Sequence, residues 1–258
     1  MLAAERRRAI AELVAARPGT RGDELAERFG VSAETIRRDL LYLQQAGAVR
    51  RVHGGATPPE APRAVEDPYG QRAERNAAGK RAMARRAAAL VRPGDTVVLD
   101  VGTSALEVAR ALPAGWRGRV LTGSLLVAAE LAGRPGVEVL TSGGRVRGGD
   151  LACSGEAARA FFADYHADLA FLGSGGVHAE AGLTDYHPDE VDVRRVVLRH
   201  SARTYALADA TKLGVIAVRR VCPLAGLDGL ITDGEPEADL AAALAEAGTE
   251  TLRPKEDA

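Results

Sequence analysis

The sequence predicts an α/β protein in two parts, a small helical module ending in a β-hairpin and a larger domain built on a mainly parallel sheet. Three observations carry this. Apolar residues recur at helical spacing through residues 4–46, interrupted by glycine-containing turns. A proline-rich stretch follows, with Pro58, Pro59, Pro62 and Pro68. Beyond residue 71, short continuous apolar runs alternate with helical segments, the pattern of a parallel sheet covered on both faces. The expected divisions are residues 1–57, a stiff linker over 58–70, and 71–258.

Within the first part, a helix is expected over 4–17, with Ile10, Leu13 and Val14 inward and Pro18-Gly19 as its stop. A second helix spans 21–29 and buries Leu25, Ala26 and Phe29; Gly30 closes it in the left-handed conformation. Ser32 reads as the N-cap of a third helix reaching Gln45 or Ala46, with Ile36, Leu40 and Leu43 as its apolar stripe. Residues 49–52 and the turn His53-Gly54-Gly55 form a hairpin or wing. In the second part a helix over 71–90 leads to a strand at 96–100. Further strands are expected at 119–122, 137–140, 169–173, 204–208, 215–218 and 229–232. Helices at 104–112, 125–132, 155–163, 188–201 and 237–247 separate most of them.

Composition bounds the partners. The 258 residues are 46% hydrophobic with a formal net charge of −1, so the chain as a whole is no polycation. Residues 1–57 hold ten arginines against seven acidic residues, a net of +3, and the remainder nets −4. A basic head on an acidic body suits a DNA-contacting module, although +3 lies within ordinary fluctuation. Cys153 and Cys222 lack motif spacing and are expected as reduced thiols. Met1-Leu2-Ala3-Ala4 followed by Glu5 and three arginines reads against a secretory signal, and no apolar run nears the roughly 20 residues that span a bilayer. A soluble, cytoplasmic protein with no membrane partner is expected.

A helix, a glycine turn and a second helix lay the last helix in the major groove of double-stranded DNA. The third helix has the two faces this requires. Ile36, Leu40 and Leu43 occupy one; Ala33, Thr35, Arg37 and Arg38 lie largely off it, with Ser32 at the cap. An arginine bridging guanine O6 and N7 supplies roughly 1–3 kcal/mol of discrimination. Arg37 and Arg38 stand about 100° apart on a helix, so one is expected to read a base and the other to clamp phosphate. Arg50, Arg51 and His53 on the wing are placed for phosphate or minor-groove contacts, and Gly54-Gly55 lets the wing backbone approach the duplex. The competing reading is a helical bundle whose solvated arginine face docks a protein.

Phe29-Gly30-Val31-Ser32, Thr35-Ile36-Arg37-Arg38-Asp39-Leu40 and Arg50-Arg51-Val52-His53-Gly54-Gly55-Ala56 together resemble the N-terminal signature of DeoR-type bacterial regulators, nearly residue for residue. The resemblance implies a winged helix-turn-helix with Thr35, Arg37 and Arg38 at the DNA. It makes Asp39 a structural partner for an arginine.

Three strand-end loops in the second part have the chemistry to hold an anion. Residues 96–100 run into Val101-Gly102-Thr103-Ser104 and a helix, a turn that aims backbone N–H groups and two hydroxyls where the helix dipole favours negative charge. Thr122-Gly123-Ser124 repeats the arrangement, and Ser142-Gly143-Gly144 supplies a third loop. Parallel sheets bind ligands outside the C-terminal ends of their strands, so the three are candidates to line one crevice. Lys212, in Asp209-Ala210-Thr211-Lys212, is one of only three lysines against 31 arginines and a candidate to neutralise a phosphate. Each segment alone fits a plain turn or a solvated lysine equally well.

Asp100-Val101-Gly102-Thr103-Ser104, Thr122-Gly123-Ser124, Gly143-Gly144, Phe171-Leu172-Gly173, Gly182-Leu183-Thr184 and Asp209-Ala210-Thr211-Lys212 resemble the motifs of DeoR-type sensor domains, so the similarity spans essentially the whole chain. It implies a fold similar to ribose-5-phosphate isomerase and glucosamine-6-phosphate deaminase, a sugar phosphate or related metabolite as effector, and repression as the outcome. Gly123 stands where the family pattern has Asn, which removes an amide able to bond the ligand.

An enzyme on this fold needs a base to shuttle a proton and a group to hold an enediolate, for which Asp185, Asp189, Glu190 and Lys212 are candidates. Asp189 reads as an acid decorating the first turn of the helix at 188–201, Asp185 and Glu190 as hydrogen-bond partners of a ligand. Neither cysteine has an activating motif, and His53, His166, His178, His187 and His200 lack metal-ligand spacing, so no metal or cofactor is expected. The chain is therefore read as a non-enzymatic, homo-oligomeric repressor of carbohydrate-metabolism genes, with operator DNA and a small phosphorylated metabolite as partners. A sugar-phosphate isomerase or deaminase carrying a DNA-binding head is the alternative and would turn over substrate. A docking adaptor would show no salt-sensitive DNA affinity.

Overall fold

The computed structural model describes residues 3–17, 19–45, 48–52, 54–57 and 66–254. They belong to two compact units that divide between Ala61 and Pro62. Pro18, His53 and linker residues 58–65 lie outside the described residues.

In the first unit, α1 (Ala3–Ala16), α2 (Gly22–Phe29) and α3 (Ala33–Gln45) bury Ile10, Val14, Leu25, Ile36, Leu40 and Leu43 together. Helix α2 stops because Gly30 takes φ 61° and its N–H turns back to the Glu27 carbonyl. Ser32 caps α3, its Oγ accepting from the Thr35 amide at 3.2 Å. Asp39, 2% exposed, accepts from Arg6 Nε at 2.6 Å and Arg7 Nε at 2.7 Å and so ties α1 to α3. Three short strands, β1 (Thr20–Arg21), β2 (Arg50–Val52) and β3 (Gly55–Thr57), pair antiparallel in the spatial order β1–β3–β2. The β2–β3 hairpin is the expected wing; β1, two residues long, has no period to read. It gives Gly55 a different purpose from the one expected. A Cβ at Gly55 would stand 2.3 Å from the Thr20 carbonyl oxygen, so glycine is required there by β1.

The second unit begins with α4 (Tyr69–Glu74), α5 (Ala77–Ala88), β4 (Thr96–Leu99), α6 (Thr103–Ala111), β5 (Gly118–Thr122), α7 (Leu125–Leu131), β6 (Val137–Thr141), β7 (Arg145–Arg147) and β8 (Ala152–Ser154). It continues with α8 (Glu156–Ala163), β9 (Ala167–Leu172), β10 (Gly176–His178), β11 (Gly182–Asp185), α9 (Pro188–Arg199), β12 (Ser201–Leu207), β13 (Arg219–Cys222), β14 (Gly229–Ile231), α10 (Ala238–Glu246) and β15 (Glu250–Leu252). Seven strands form a parallel sheet in the order β15–β14–β12–β9–β4–β5–β6. Alternate residues of its central strands face opposite cores. Val97, Leu99, Leu169 and Phe171 pack with α5, α6 and α7 residues such as Met83, Leu106 and Leu131. Val98, Ala170 and Leu172 pack with Phe162 of α8, Val193 of α9 and Leu240 of α10. Burial on both faces is what makes these strands read as unbroken apolar runs.

Adjacent strands β4 and β9 continue in opposite directions, β4 toward β5 and β9 toward β12. A crevice opens at the C-terminal ends of such a pair. Three expectations change. The helix over 71–90 is two helices, because Asn76 adopts φ 49° between α4 and α5 and its Nδ2 donates to Asp233 Oδ2 at 2.8 Å. Residues 215–218 form no strand. Val215 and Ala217 are buried in irregular chain, and the Ala217 amide donates to Thr184 Oγ1 at 2.9 Å. The strand beside them is β13, antiparallel to β11. The β7–β8 and β10–β11 pairs, each short and bounded by glycine, were not foreseen.

Candidate functional site

Helix α3 presents an outward face made by Ser32, Ala33, Glu34, Arg37 and Arg38, all exposed, with Thr35 half-buried beside them. Ser32 Oγ and Thr35 Oγ1 are 2.9 Å apart. Arg37 Nε and Nη2 reach the Glu34 carboxylate at 2.7 and 2.9 Å, and Arg38 Nε reaches it at 3.1 Å. Hydrogen bonds from Arg37 and then Arg38 pull the Glu34 carboxyl down to about 2. One carboxylate thus gathers both guanidiniums on the solvent side of the helix, a role for Glu34 that the sequence pattern does not single out. Arg50 and Arg51 are exposed on the wing strand β2. His53 lies outside the described residues.

In the second unit a cleft, open to solvent, lies at the β4–β9 crevice. Val101, Gly102, Thr103 and Ser104 enter it from the first turn of α6, and Gly173 and Ser174 from the end of β9. Of the expected ligand residues, Gly102, Thr103, Ser104, Asp185, Glu190 and Lys212 line it together. Asp100 does not line it but lies buried beneath, where Oδ2 accepts from the Gly173 amide at 2.8 Å and from Arg194 Nε at 2.6 Å. Thr122, Gly123 and Ser124 turn inward. Thr122 Oγ1 accepts from the Ser124 amide at 3.0 Å, Ser124 Oγ caps α7 through the Val127 amide, and Gly123 borders a smaller inner cavity with Asp100 and Glu190. Gly143 and Gly144 are not among the lining residues; a Cβ at Gly144 would stand 2.6 Å from the Ser154 carbonyl oxygen. Asp189 pairs with Arg145 on the surface, as a first-turn acid.

The lining holds six basic side chains, Arg72, Arg75, Lys80, Arg147, Arg194 and Lys212, against five carboxylates. Sequence analysis singled out Lys212 alone among the six. Arg194, 3% exposed, is ringed by Asp100, by Asp185 Oδ2 at 2.7 Å from Nη1 and by Glu190 Oε2 at 3.5 Å from Nη2. Arg147 Nη1 reaches Glu190 Oε1 at 2.5 Å. Burial pushes the Glu190 carboxyl up to about 8 against the attraction of Arg194 and Arg147, with smaller repulsions from Asp185 and Asp100. The basic side chains of the lining outnumber its carboxylates by one even without that shift. Burial lowers the pKa of Lys212, opposed by Glu66, Asp209 and Asp185. Lys80 binds structure, not solvent: Nζ donates to the Arg72 carbonyl at 2.8 Å and to that of Arg75, and stands 3.3 Å from Asp209 Oδ2. It fixes the end of α4, and with it the two arginines that α4 presents to the cleft.

A helix-turn-helix head joined to an α/β domain with a basic cleft at its strand ends defines a transcription regulator that answers to a small molecule. The chain belongs to the DeoR family: residues 6–61 match the DeoR-like helix-turn-helix domain and residues 75–234 the DeoR C terminal sensor domain. It is 37% identical over 239 residues to the HTH-type transcriptional regulator GlpR of Haloferax volcanii, covering 93% of each chain. It is 31% identical over 232 residues to the glycerol-3-phosphate regulon repressor of Escherichia coli, covering 90% of this chain and 91% of that one. Among solved structures, ribose 5-phosphate isomerase A from Methanocaldococcus jannaschii is similar at a TM-score of 0.39 and 18% identity, over 52% of this chain and 53% of that one. No helix among the described residues is long and apolar enough to cross a membrane.

Proposed function

We propose that the chain is a cytoplasmic repressor of carbohydrate-metabolism genes that grips operator DNA through α3 and the wing and releases it when a phosphorylated sugar or related metabolite fills the cleft. The surplus of basic side chains in a cleft at the N-terminal turn of α6 carries this assignment. Gly102, Thr103, Ser104 and Lys212 receive the phosphate; Asp185 and Glu190 face the hydroxyls. On the DNA side, Arg37 and Arg38 divide base reading from phosphate clamping. Ser32, Ala33 and Thr35 border them, and Arg50, Arg51 and His53 flank the groove. The E. coli relative is named for a glycerol 3-phosphate regulon, which supports a small phosphate ester as the effector class. Repeated half-sites and a helix-turn-helix go with a homo-oligomer.

The protein senses its ligand without converting it. Glu190, one of the candidate bases, is engaged by Arg147 and Arg194 instead of standing free to take a substrate proton. Thermal-shift screening of the full chain against phosphorylated sugars should find at least one that raises the melting temperature, since a ligand specific to the folded state stabilises by mass action. That compound should release operator DNA and stay chemically unchanged. Lys212→Ala should keep DNA binding but lose the release. An unaltered response would remove Lys212 from the site, and turnover abolished by Glu190→Ala would make the protein an enzyme.

A further inference from the structure

Glu66 follows the stretch that joins the two units, and its carboxylate sits in the cleft. Oε1 lies 2.9 Å from Arg72 Nη1 and Oε2 lies 3.2 Å from His187 Nε2; 13% of the side chain is exposed. Asp67 is held beside it. Arg72 Nε donates to its carbonyl at 3.0 Å, and Arg75 Nη1 pairs with its carboxylate at 2.6 Å. Glu66 is also the foremost negative charge acting on Lys212, and it acts on Arg147. A carboxylate at the start of the second unit thus occupies Arg72, one of the basic groups lining the cleft, and bears electrostatically on Lys212, which a ligand's phosphate would need. A phosphoryl group carries more charge and one more acceptor oxygen than a carboxylate, so on a shared set of guanidinium and ammonium donors it has the advantage.

We propose that Glu66 is a built-in competitor for the anion subsite, and that an entering phosphoryl group displaces it and releases residues 66–68 from α4. The proposal rests on the cleft being an anion site and adds how that site is regulated. A ligand shifts an equilibrium only by its differential affinity for the two states, and here the states are Glu66 in and Glu66 out. Residues 58–65 connect Glu66 to Thr57 at the end of β3, so exchanging one anion for another frees the start of the covalent tether to the DNA-binding unit. Ligand affinity is reduced by the fraction of time the subsite is open. If Glu66 fills it about nine-tenths of the time, removing the competitor tightens binding roughly tenfold.

The test uses the full chain as wild type, Glu66→Gln and Lys212→Ala, with inorganic phosphate as the probe. Calorimetry reads affinity, and hydrogen exchange reads the amides of residues 66–72. Glu66→Gln should bind phosphate roughly tenfold tighter than wild type, and Lys212→Ala more weakly than either. Saturating phosphate should speed exchange in the wild type to the rate that Glu66→Gln shows without it. Equal affinity in wild type and Glu66→Gln, with Lys212→Ala weaker than both, would overturn the displacement and leave the anion site standing. Slower exchange of these amides on phosphate binding would overturn it too. If none of the three proteins binds phosphate, the anion site falls and the competitor falls with it.

Discussion

Arg194 sets the electrostatics of the cleft. Arg194 pairs with Asp100, Asp185 and Glu190, and Arg147 with Glu190, yet the desolvation of Glu190 outweighs both arginines and pushes its carboxyl up to about 8. The sign follows from linkage. The folded pKa lies above the unfolded value near 4.5, so the folded chain binds more protons between 4.5 and about 8 and loses stability as pH climbs through that window. Urea midpoints measured from about pH 5 to 9 should fall in the wild type and fall less in Glu190→Gln. Parallel curves would show that Glu190 does not titrate there. Asp39 works in the opposite sense. Burial would raise its pKa, but hydrogen bonds from Arg6 and Arg7 outweigh it and hold the carboxyl below the usual range, so its contribution is present at neutral pH and lost on acidification. Asp39→Asn should cost the head roughly 1.5–3 kcal/mol, the scale of hydrogen bonds to charged groups. Denaturation followed at Tyr42, whose ring Arg7 covers at 3.9 Å, reads that loss; an unchanged midpoint would mean the two arginines find other partners.

At the scale of elements, the break between α4 and α5 decides which side chains reach the cleft. Lys80 joins the last carbonyls of α4 to Asp209. Lys80→Met keeps the stem but strips the cation from a buried carboxylate, at about 3–5 kcal/mol. It should also weaken effector binding through Arg72 and Arg75; a variant with wild-type stability and affinity would refute the coupling. This break was not legible in the sequence. Asn76 takes its left-handed turn against Asp233, 157 residues away, and no local pattern carries that. The legible elements were those with a strong period or a local stop: α3 with its Ser32 cap, α2 with Gly30, and central strands buried on both faces. Gly102, Thr103, Ser104 and Lys212 are legible from loops at strand ends, and Asp185 and Glu190 as candidate acids. Most of the basic ones were not, because among 31 arginines the residue type itself carries no signal. Arg194 and Arg147 have local cues, Glu190 four residues before the one and Asp150 three residues after the other. Glu66 was read as spacer because prolines surround it.

For the whole molecule, the helix-turn-helix match over residues 6–61 and the sensor-domain match over residues 75–234 place DNA binding in one unit and ligand control in the other. A coupling of roughly 1–3 kcal/mol between them would change operator affinity about 5- to 150-fold. Everything depends on Arg37 and Arg38, whose side chains are 57% and 74% exposed and share Glu34 in the free protein. The most direct test selects a duplex from a random pool with the full chain, then titrates wild type, Arg37→Ala and Arg38→Ala against it at several salt concentrations. Wild type should bind with affinity that falls steeply as salt rises. One variant should lose discrimination at a single base pair worth about 1–3 kcal/mol, and the other should bind all sequences more weakly with a salt slope shallower by about 1. Both should melt like the wild type. If both variants bind the selected duplex as the wild type does, the outward face of α3 is not the DNA-reading surface.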